Sequence, residues 1–421
     1  MKVYKFGGAS VNSIERIRNV ADIIEAEKND KILIVISAMG KTTNALEKVA
    51  EKFYSGENNE ALLLFEEIKN DHLTTLHQLV SLNKKEATGH LKDFFTEIEW
   101  LLHDKAVKGY DYYYDQIVCI GELLSTSIIS AYLSERGILN SWVDVRDIFR
   151  TDDNFRNANV DIAYASKKTI ELLLPLFQDK NIVITQGFIG STDENESTTL
   201  GREGSDYSAA LFTNIFDAEA LTIWKDVKGI MNADPKEFPD AQYIQALSFR
   251  EVIEMTYYGA QVIHPKTIKP LQNKNIPLLV KSFLETHLPG TIISNAITHH
   301  LPPIIVLKEN QVLLKLSTKD FSFIGEKSIT HIYELFAELK INPNLTQNGA
   351  IDFLVCLDDH SEKIEKIALA ASSFFEVHLE RNLTLLTVRH FTNESLNKLT
   401  SGKNIILEQR TEKTIQILMR D

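Results

Sequence analysis

The sequence predicts an α/β protein: one largely parallel sheet sandwiched by helices, followed by a smaller α+β region. Three observations predict it. Over residues 1 to about 296, short apolar, β-branched runs alternate with stretches whose apolar residues recur every three or four positions. After a polar break at Asn295 to Pro303, the runs become closely spaced strands with few helices between them. Several early strands also end in glycine or small hydroxylated residues that open into a helix, the position at which open α/β sheets bind their ligands.

Composition bounds the function. A chain of 421 residues, 44% hydrophobic and 24% charged, has room for two or three globular domains. A net charge of -13 argues against nucleic acid as a main partner, because phosphate binding needs concentrated Lys and Arg. Cys119 and Cys356 are far apart in apolar surroundings and read as reduced core thiols of a cytoplasmic protein. The chain opens directly on a strand, which predicts no signal peptide, and no apolar run approaches membrane-spanning length, which predicts no membrane partner.

In chain order, Lys2 to Phe6 alternates as a strand. Gly7-Gly8-Ala9-Ser10 follows, then a helix with Ile14, Ile17, Val20, Ala21, Ile23 and Ile24 on one face. Gly7 and Gly8 lack Cβ atoms, so a ligand oxygen can approach the backbone, and Lys5 can reach the same anion. The same residues also make an ordinary tight turn. Ser10, Asn12 or Ser13 is placed to cap the helix. The second strand, Ile32 to Ile36, leads into Ser37-Ala38-Met39-Gly40-Lys41-Thr42-Thr43-Asn44. Gly-Lys-Thr suggests a P-loop, but the glycine that motif needs five residues before Gly40 is Val35, so the P-loop is rejected.

Residues 45 to about 135 read as a helical insertion covering the sheet edge, with Ala61 to Val80 and Glu86 to His103 as examples. Glu122 stands at the start of an otherwise apolar helical run. It either complements the helix N-terminus or faces the cleft for an ammonium group. Ser141 to Val145 reads as a strand, followed by the polar loop of Thr151-Asp152-Asp153. Ile182 to Thr185 is a buried strand, and Gly201-Arg202-Glu203-Gly204-Ser205-Asp206 a turn that opens a helix. Such a turn directs backbone N–H groups outward, and Arg202 adds a fork of donors suited to a carboxylate or phosphate. Leu221 to Trp224 is a strand running into a loop that carries Lys225, Asp226, Met231 and Lys236. Ser248 to Tyr258 is a helix stopped by Gly259, His264 reads as a packed histidine, and Ile276 to Val280 as the last strand of this unit. His299-His300 is too isolated to be a metal site. Beyond it, Val312 to Leu316, Ala350 to Leu357, Phe374 to Leu379, Leu383 to Val388, Ile405 to Gln409 and Ile415 to Met419 read as strands. Ile329 to Leu339 and Lys363 to Ala371 read as helices.

Six segments in this order resemble aspartate kinase, a member of the amino-acid kinase fold: KFGGAS at 5 to 10, SAMGKTTN at 37 to 44, GE at 121 to 122, TLGREGSDYSAA at 199 to 210, WKDVKGIMNADP at 224 to 235 and GAQVIHP at 259 to 265. The resemblance covers essentially the whole chain and implies a catalytic domain at 1–296 and two ACT-like modules at 303–421. The second module is shortened, since Asn393 to Lys403 leaves little helix before the last two strands. The length leaves no room for the homoserine dehydrogenase domain of bifunctional relatives. The implied activity is ATP- and Mg²⁺-dependent phosphorylation of the β-carboxylate of L-aspartate, the first step towards lysine, threonine and methionine. A homodimer and a lysine or threonine effector at the ACT-like region are also implied.

The resemblance implies roles as well. Lys5 neutralises the transferred phosphoryl group, Gly7, Gly8 and Ser10 hold phosphate, and Asp206 orients the site. Thr43, Glu122, Arg202 and Ser205 bind aspartate, with Arg202 on the α-carboxylate and Glu122 on the amino group. Lys225, Asp226, Met231, Lys236 and Gln261 fall where the family holds the nucleotide; direct metal ligands are not assigned. Ala9 stands for the family's usual threonine and Glu203 for a usual glycine, which is expected to alter how tightly the anion is held. Lys225, Met231 and Lys236 stand for threonine, tyrosine and arginine. The alternatives are another small-molecule kinase of this fold, acting on glutamate, acetylglutamate, carbamate or UMP, and a non-catalytic amino-acid sensor.

Overall fold

The computed structural model describes residues 1–296, 300–320 and 322–420, so His299 of the His299-His300 pair lies outside the described residues. Backbone contacts divide the chain into two compact units. The first comprises Met1–Ile230, Ile244–Ile253 and Ile263–Ile297; the second comprises Met231–Tyr243, Glu254–Val262 and Thr298–Asp421.

The first unit is built on an eight-stranded sheet. Its strands are β1 (Lys2–Phe6), β2 (Ile32–Ile36), β3 (Asn140–Trp142), β4 (Ile182–Gln186), β7 (Leu221–Lys225), β10 (Ala246–Ser248), β11 (Leu278–Ser282) and β12 (Thr291–Ser294). They lie in the order β10-β12-β11-β7-β1-β2-β4-β3. Every neighbouring pair is parallel except β11 with β12. The β2 sequence ILIVI is buried at all five positions, which is why it reads as an unbroken apolar run rather than an alternating one. A separate ribbon joins β5 (Ile189–Ser191) to β6 (Ser197–Thr199), and the short β8 (Ile230–Met231) and β9 (Tyr243–Ile244) make another.

Helix α1 (Ile14–Ala26) follows β1, and of the three candidate caps it is Ser13 that accepts from the Arg16 N–H. The helical insertion between β2 and β3 is α2 (Thr42–Tyr54), α3 (Asn58–Leu79), α4 (Lys84–His103), α5 (Tyr110–Val118) and α6 (Ile120–Glu135). Helix α6 packs on β2, β3 and β4. One expectation is corrected here: within Tyr110–Glu135 an 18-residue segment does reach membrane-spanning length and apolarity, with a mean hydropathy of 1.6. Of that segment 72% is buried within the protein, so its apolarity serves the core. The remaining helices of the sheet layers are α7 (Ile162–Leu172), α8 (Leu176–Asp179), α9 (Gly204–Ile215), α10 (Phe249–Tyr257) and α11 (Pro265–Lys274). The run at 276–280 is not the last strand of this unit. It is β11, shifted by two residues, and the antiparallel β12 follows and inserts between it and β10.

The second unit holds a six-stranded antiparallel sheet ordered β14-β15-β13-β16-β18-β17. Its elements are β13 (Ile304–Thr318), α12 (Glu326–Glu338), β14 (Leu345–Asn348), β15 (Asp352–Asp358), α13 (Ser361–Ala371), β16 (Phe375–Arg389), α14 (Asn393–Thr400), β17 (Asn404–Arg410) and β18 (Thr414–Arg420). The runs read as separate strands at 374–379 and 383–388 are one 15-residue strand, β16, broken only by a register shift against β13 near Gln311. Helices α12 and α13 close a core around Val312, Leu314, Phe336, Val355 and Ile367. The other half of the sheet carries the single eight-residue α14, none of whose residues is buried. Both cysteines are buried free thiols.

Candidate active site

Strands β1, β2, β4 and β7 run parallel side by side, so their carboxyl ends share one edge of the sheet. A cleft of about 620 Å³ opens there. Residues after β1, after β2 and at the end of β7 line it, together with the start of α6 and the turn leading into α9. This is where an open α/β sheet places its ligand.

Lys5 projects from the end of β1 and is 9% exposed. Its Nζ lies 2.7 Å from Asp206 Oδ1, on the first turn of α9. Asp206 is 4% exposed, and burial alone would raise its carboxyl. The charges of Lys5 and Lys225 outweigh burial and hold it below the ordinary aspartate range, so the pair is ionic. A Cβ on Gly7 would stand 3.4 Å from Lys5 Nζ, and one on Gly8 would lie only 2.7 Å from the Ala38 carbonyl. The β1 turn therefore packs directly on the β2 turn, an approach that needs glycine at position 8. Ser10, buried behind this turn, also lines the cleft.

Glu122 stands in the first turn of α6 and is 3% exposed. Burial pushes its carboxyl up to about 8, against the opposing pull of Lys5 and of an Ala38 N–H bond. Its Oε2 is buried with no hydrogen-bond partner. Of the two readings open in the sequence, this geometry favours a carboxyl waiting for a cationic partner, since an orphan buried oxygen costs about 1–3 kcal/mol until it is satisfied.

The turn before α9 is shaped by backbone conformation. Gly201 has φ +76° and Glu203 φ +54°, and Gly204 and Ser205 of the first helical turn line the cleft with no side-chain cap above them. Glu203 lines the cleft as well, yet its Oε2 accepts the His264 N–H at 2.9 Å, so its charge is directed to the start of α11. His264 is that helix's N-cap, its Nδ1 accepting from the Lys266 N–H.

The cleft thus gathers Lys5, Gly7, Gly8, Ser10, Thr43, Glu122, Arg202, Ser205, Asp206, Lys225 and Asp226. Met231, Lys236 and Gln261 are not among its lining residues and fall in the second unit. There Asn232, beside Met231, donates through Nδ2 to the Pro303 carbonyl and accepts from the Ile305 N–H. Lys41 of the rejected P-loop is exposed outside the cleft lining. Among the described residues, no group of three or more His, Cys, Asp or Glu is placed to hold a metal ion. A second hollow of about 830 Å³ lies wholly in the second unit, where Lys308, Asn344, Asp358 and Gln311 bond to one another.

Sequence reasoning missed Tyr114, Arg156 and Thr199, which also line the cleft, and the buried acid that holds two of them. Asp115 Oδ2 accepts the N–H groups of Arg156 at 2.9 Å and of Thr199 at 2.7 Å, and its Oδ1 accepts from Thr199 Oγ1 at 2.7 Å. Burial still pushes this carboxyl up to about 6. The available signal was the run YDYYYD at 110–115, too acidic and aromatic for an ordinary helix face.

Comparison with known proteins places this cleft in a family. Residues 1–282 match the amino acid kinase family. The lysine-sensitive aspartokinase 3 of Escherichia coli (strain K12) is 32% identical over 396 residues, covering 92% of this chain and 86% of that protein. The chloroplastic bifunctional aspartokinase/homoserine dehydrogenase 2 of Arabidopsis thaliana is 33% identical over 335 residues, or 78% of this chain, which spans only 35% of that longer protein. The structure of E. coli aspartokinase III in complex with aspartate and ADP superposes with a TM-score of 0.81 at 29% identity, over 100% of this chain and 96% of the other. The family match spans the strands and turns that build the cleft, and the chain belongs to the amino acid kinase family, among its aspartokinases.

Proposed function

We propose that this protein transfers the γ-phosphoryl group of ATP to the β-carboxylate of L-aspartate, giving 4-phospho-L-aspartate. The observation that carries the reading is the joint burial, in one cleft, of the Lys5–Asp206 ion pair and the carboxyl of Glu122, whose Oε2 has no partner. A carboxylate nucleophile is already ionised near pH 7, so its attack needs no general base. The task is to align two anions and neutralise the charge between them.

Each group has a place in that task. The Gly7–Gly8 turn and Ser10 receive phosphate oxygens, with Lys5 on the transferred group and Asp206 fixing the Lys5 ammonium. Arg202 takes the α-carboxylate by a bidentate fork, Glu122 the ammonium, and Thr43 and Ser205 complete the amino-acid end. Lys225 and Asp226 stand at the nucleotide end of the same cleft, and Met231, Lys236 and Gln261 are assigned to the nucleotide on family resemblance alone. Mg²⁺ would arrive with the nucleotide, since this ion is held by phosphates and one or two carboxylates, and Asp226 is an exposed carboxylate on the cleft.

We assign residues 1–296 to catalysis and 303–421 to two ACT-like modules. The first is the complete set β13-α12-β14-β15-α13-β16; the second is a shortened half carrying only α14. The E. coli relative is named as lysine-sensitive, which supports an amino-acid effector at the C-terminal region of this chain. Unpaired edges at β14 and β17 favour assembly as a homodimer. A cytoplasmic location fits the two free thiols. The test is ADP release with ATP, Mg²⁺ and L-aspartate, with the acyl phosphate trapped by hydroxylamine. A substrate panel of glutamate, acetylglutamate, carbamate and UMP separates the other kinases of this fold. Aspartate binding without turnover would instead indicate a sensor.

A further inference from the structure

Arg156 is a cleft-lining cation that the family motifs leave without a role. It sits in the loop between β3 and α7 at φ +66°, a left-handed conformation that residues other than glycine enter only at a cost. Two contacts hold it there. Asp115 accepts its N–H at 2.9 Å, and the neighbouring Asn157 Oδ1 accepts from Lys266 Nζ at 2.8 Å. The loop is packed against the turn that bears Arg202: a Cβ on Gly201 would come within 3.1 Å of the Arg156 carbonyl.

The side chain is presented to the cleft. Its guanidinium lies over the Tyr114 ring, 4.2 Å from the centroid, and both residues line the cavity. Its ion pairs are loose, at 3.4 Å to Glu47 and 3.4 Å to Asp111, and all three side chains are substantially exposed. Glu47 is four residues beyond Thr43 on α2, so the two share a helix face. Arg156 therefore stands at the amino-acid end of the cleft, beside Thr43 and Arg202.

We propose that Arg156 is a second cation for the non-reacting carboxylate of the amino-acid substrate, working beside Arg202. It exchanges its loose pairs with Glu47 and Asp111 for a planar, bidentate contact with the substrate, while Tyr114 holds the guanidinium plane. The assignment rests on the reading of the cleft as an aspartate kinase site. The backbone strain then has a function, because it directs a long cationic side chain inward from a loop that glycine would occupy more easily.

The test is steady-state kinetics of the full chain and of Arg156→Gly and Arg156→Lys. Glycine adopts φ +66° freely, so the first substitution removes the charge without threatening the loop. Arg156→Gly is expected to raise the KM for aspartate about tenfold while the KM for ATP moves less than about twofold, and Arg156→Lys to recover part of that loss. The α-amide of aspartate lacks the carboxylate in question, and its KM should be nearly the same for Arg156→Gly and the unmodified protein. Aspartate turnover in the unmodified protein with an unchanged aspartate KM in Arg156→Gly would overturn the assignment. So would a loss that Arg156→Lys does not reduce. Absence of aspartate turnover in the unmodified protein would instead overturn the underlying reading, and the assignment with it.

Discussion

Lys5 and Asp206 hold each other at 2.7 Å in a buried setting, and neither charge would be tolerable there alone. Lys5→Ala should therefore lower turnover at least about a thousandfold, since it removes the cation proposed to face the transferred group. Thermal unfolding should stay cooperative at a lowered midpoint, because Asp206 loses its partner; near-normal activity would remove Lys5 from the chemistry. Glu122 gives a prediction in pH. Its carboxyl, pushed up to about 8, is largely neutral at pH 7 and must lose a proton to pair with the substrate ammonium. Aspartate affinity should accordingly rise with pH from about 6 to about 8 and level off above, measured as KM or by calorimetry. Glu122→Gln should flatten that slope; a slope unchanged in this variant would show that another group titrates. At this scale the sequence was legible where chemistry needs rare residue types beside glycine, as at Lys5, Arg202 and Asp206. It was not legible at Asp115 and Arg156, because their contacts join α5, β6 and the 154–157 loop, which lie far apart in the chain.

Among the elements, the turn at 201–204 carries Arg202 and sets how α9 presents Ser205. Gly201→Ala puts a Cβ at φ +76° within 2.8 Å of Asn157 Oδ1, so the turn and the Arg156 loop must part. The expected cost is about 1–2 kcal/mol in urea or guanidinium unfolding. A raised KM for aspartate should accompany it, because both arginine-bearing segments shift; unchanged stability and KM would show that the turn is not the anchor described. Glu203 occupies a second left-handed position in the same turn and ties it to α11 through the His264 N–H. The expected effect of its charge on the anion is thus redirected: the carboxylate has a backbone partner. Strands with long apolar runs, such as β2, were plain in the sequence, as were the helices of the insertion. The short β10 and β12 were not, because three- and four-residue strands with mixed polarity carry too little periodicity. Reading β16 as two strands had a different cause: polar residues at Glu380 to Asn382 interrupt the apolar pattern where the register shifts, although the backbone runs on.

Over the whole molecule, the change of grammar near residue 304 marks the start of β13, the strand from which the antiparallel sheet is built. The sequence did not disclose that Met231–Tyr243 and Glu254–Val262 cluster with that C-terminal unit, since membership depends on contacts such as Asn232 with Pro303. These segments include Met231, Lys236 and Gln261, whereas Lys225 and Asp226 belong to the first unit. The effector proposed for the C-terminal unit predicts that a bound amino acid lowers turnover. Added L-lysine should inhibit; full activity at saturating lysine and threonine would mean that the shortened module serves assembly instead. The central claim, an ATP-dependent kinase acting on the β-carboxylate of aspartate, is tested most directly by trapping its product. With ATP, Mg²⁺ and L-aspartate, hydroxylamine should yield a hydroxamate in step with ADP release, and omission of aspartate or the Lys5→Ala substitution should abolish both. ADP release without hydroxamate, or hydroxamate formed equally well from glutamate, would contradict the account.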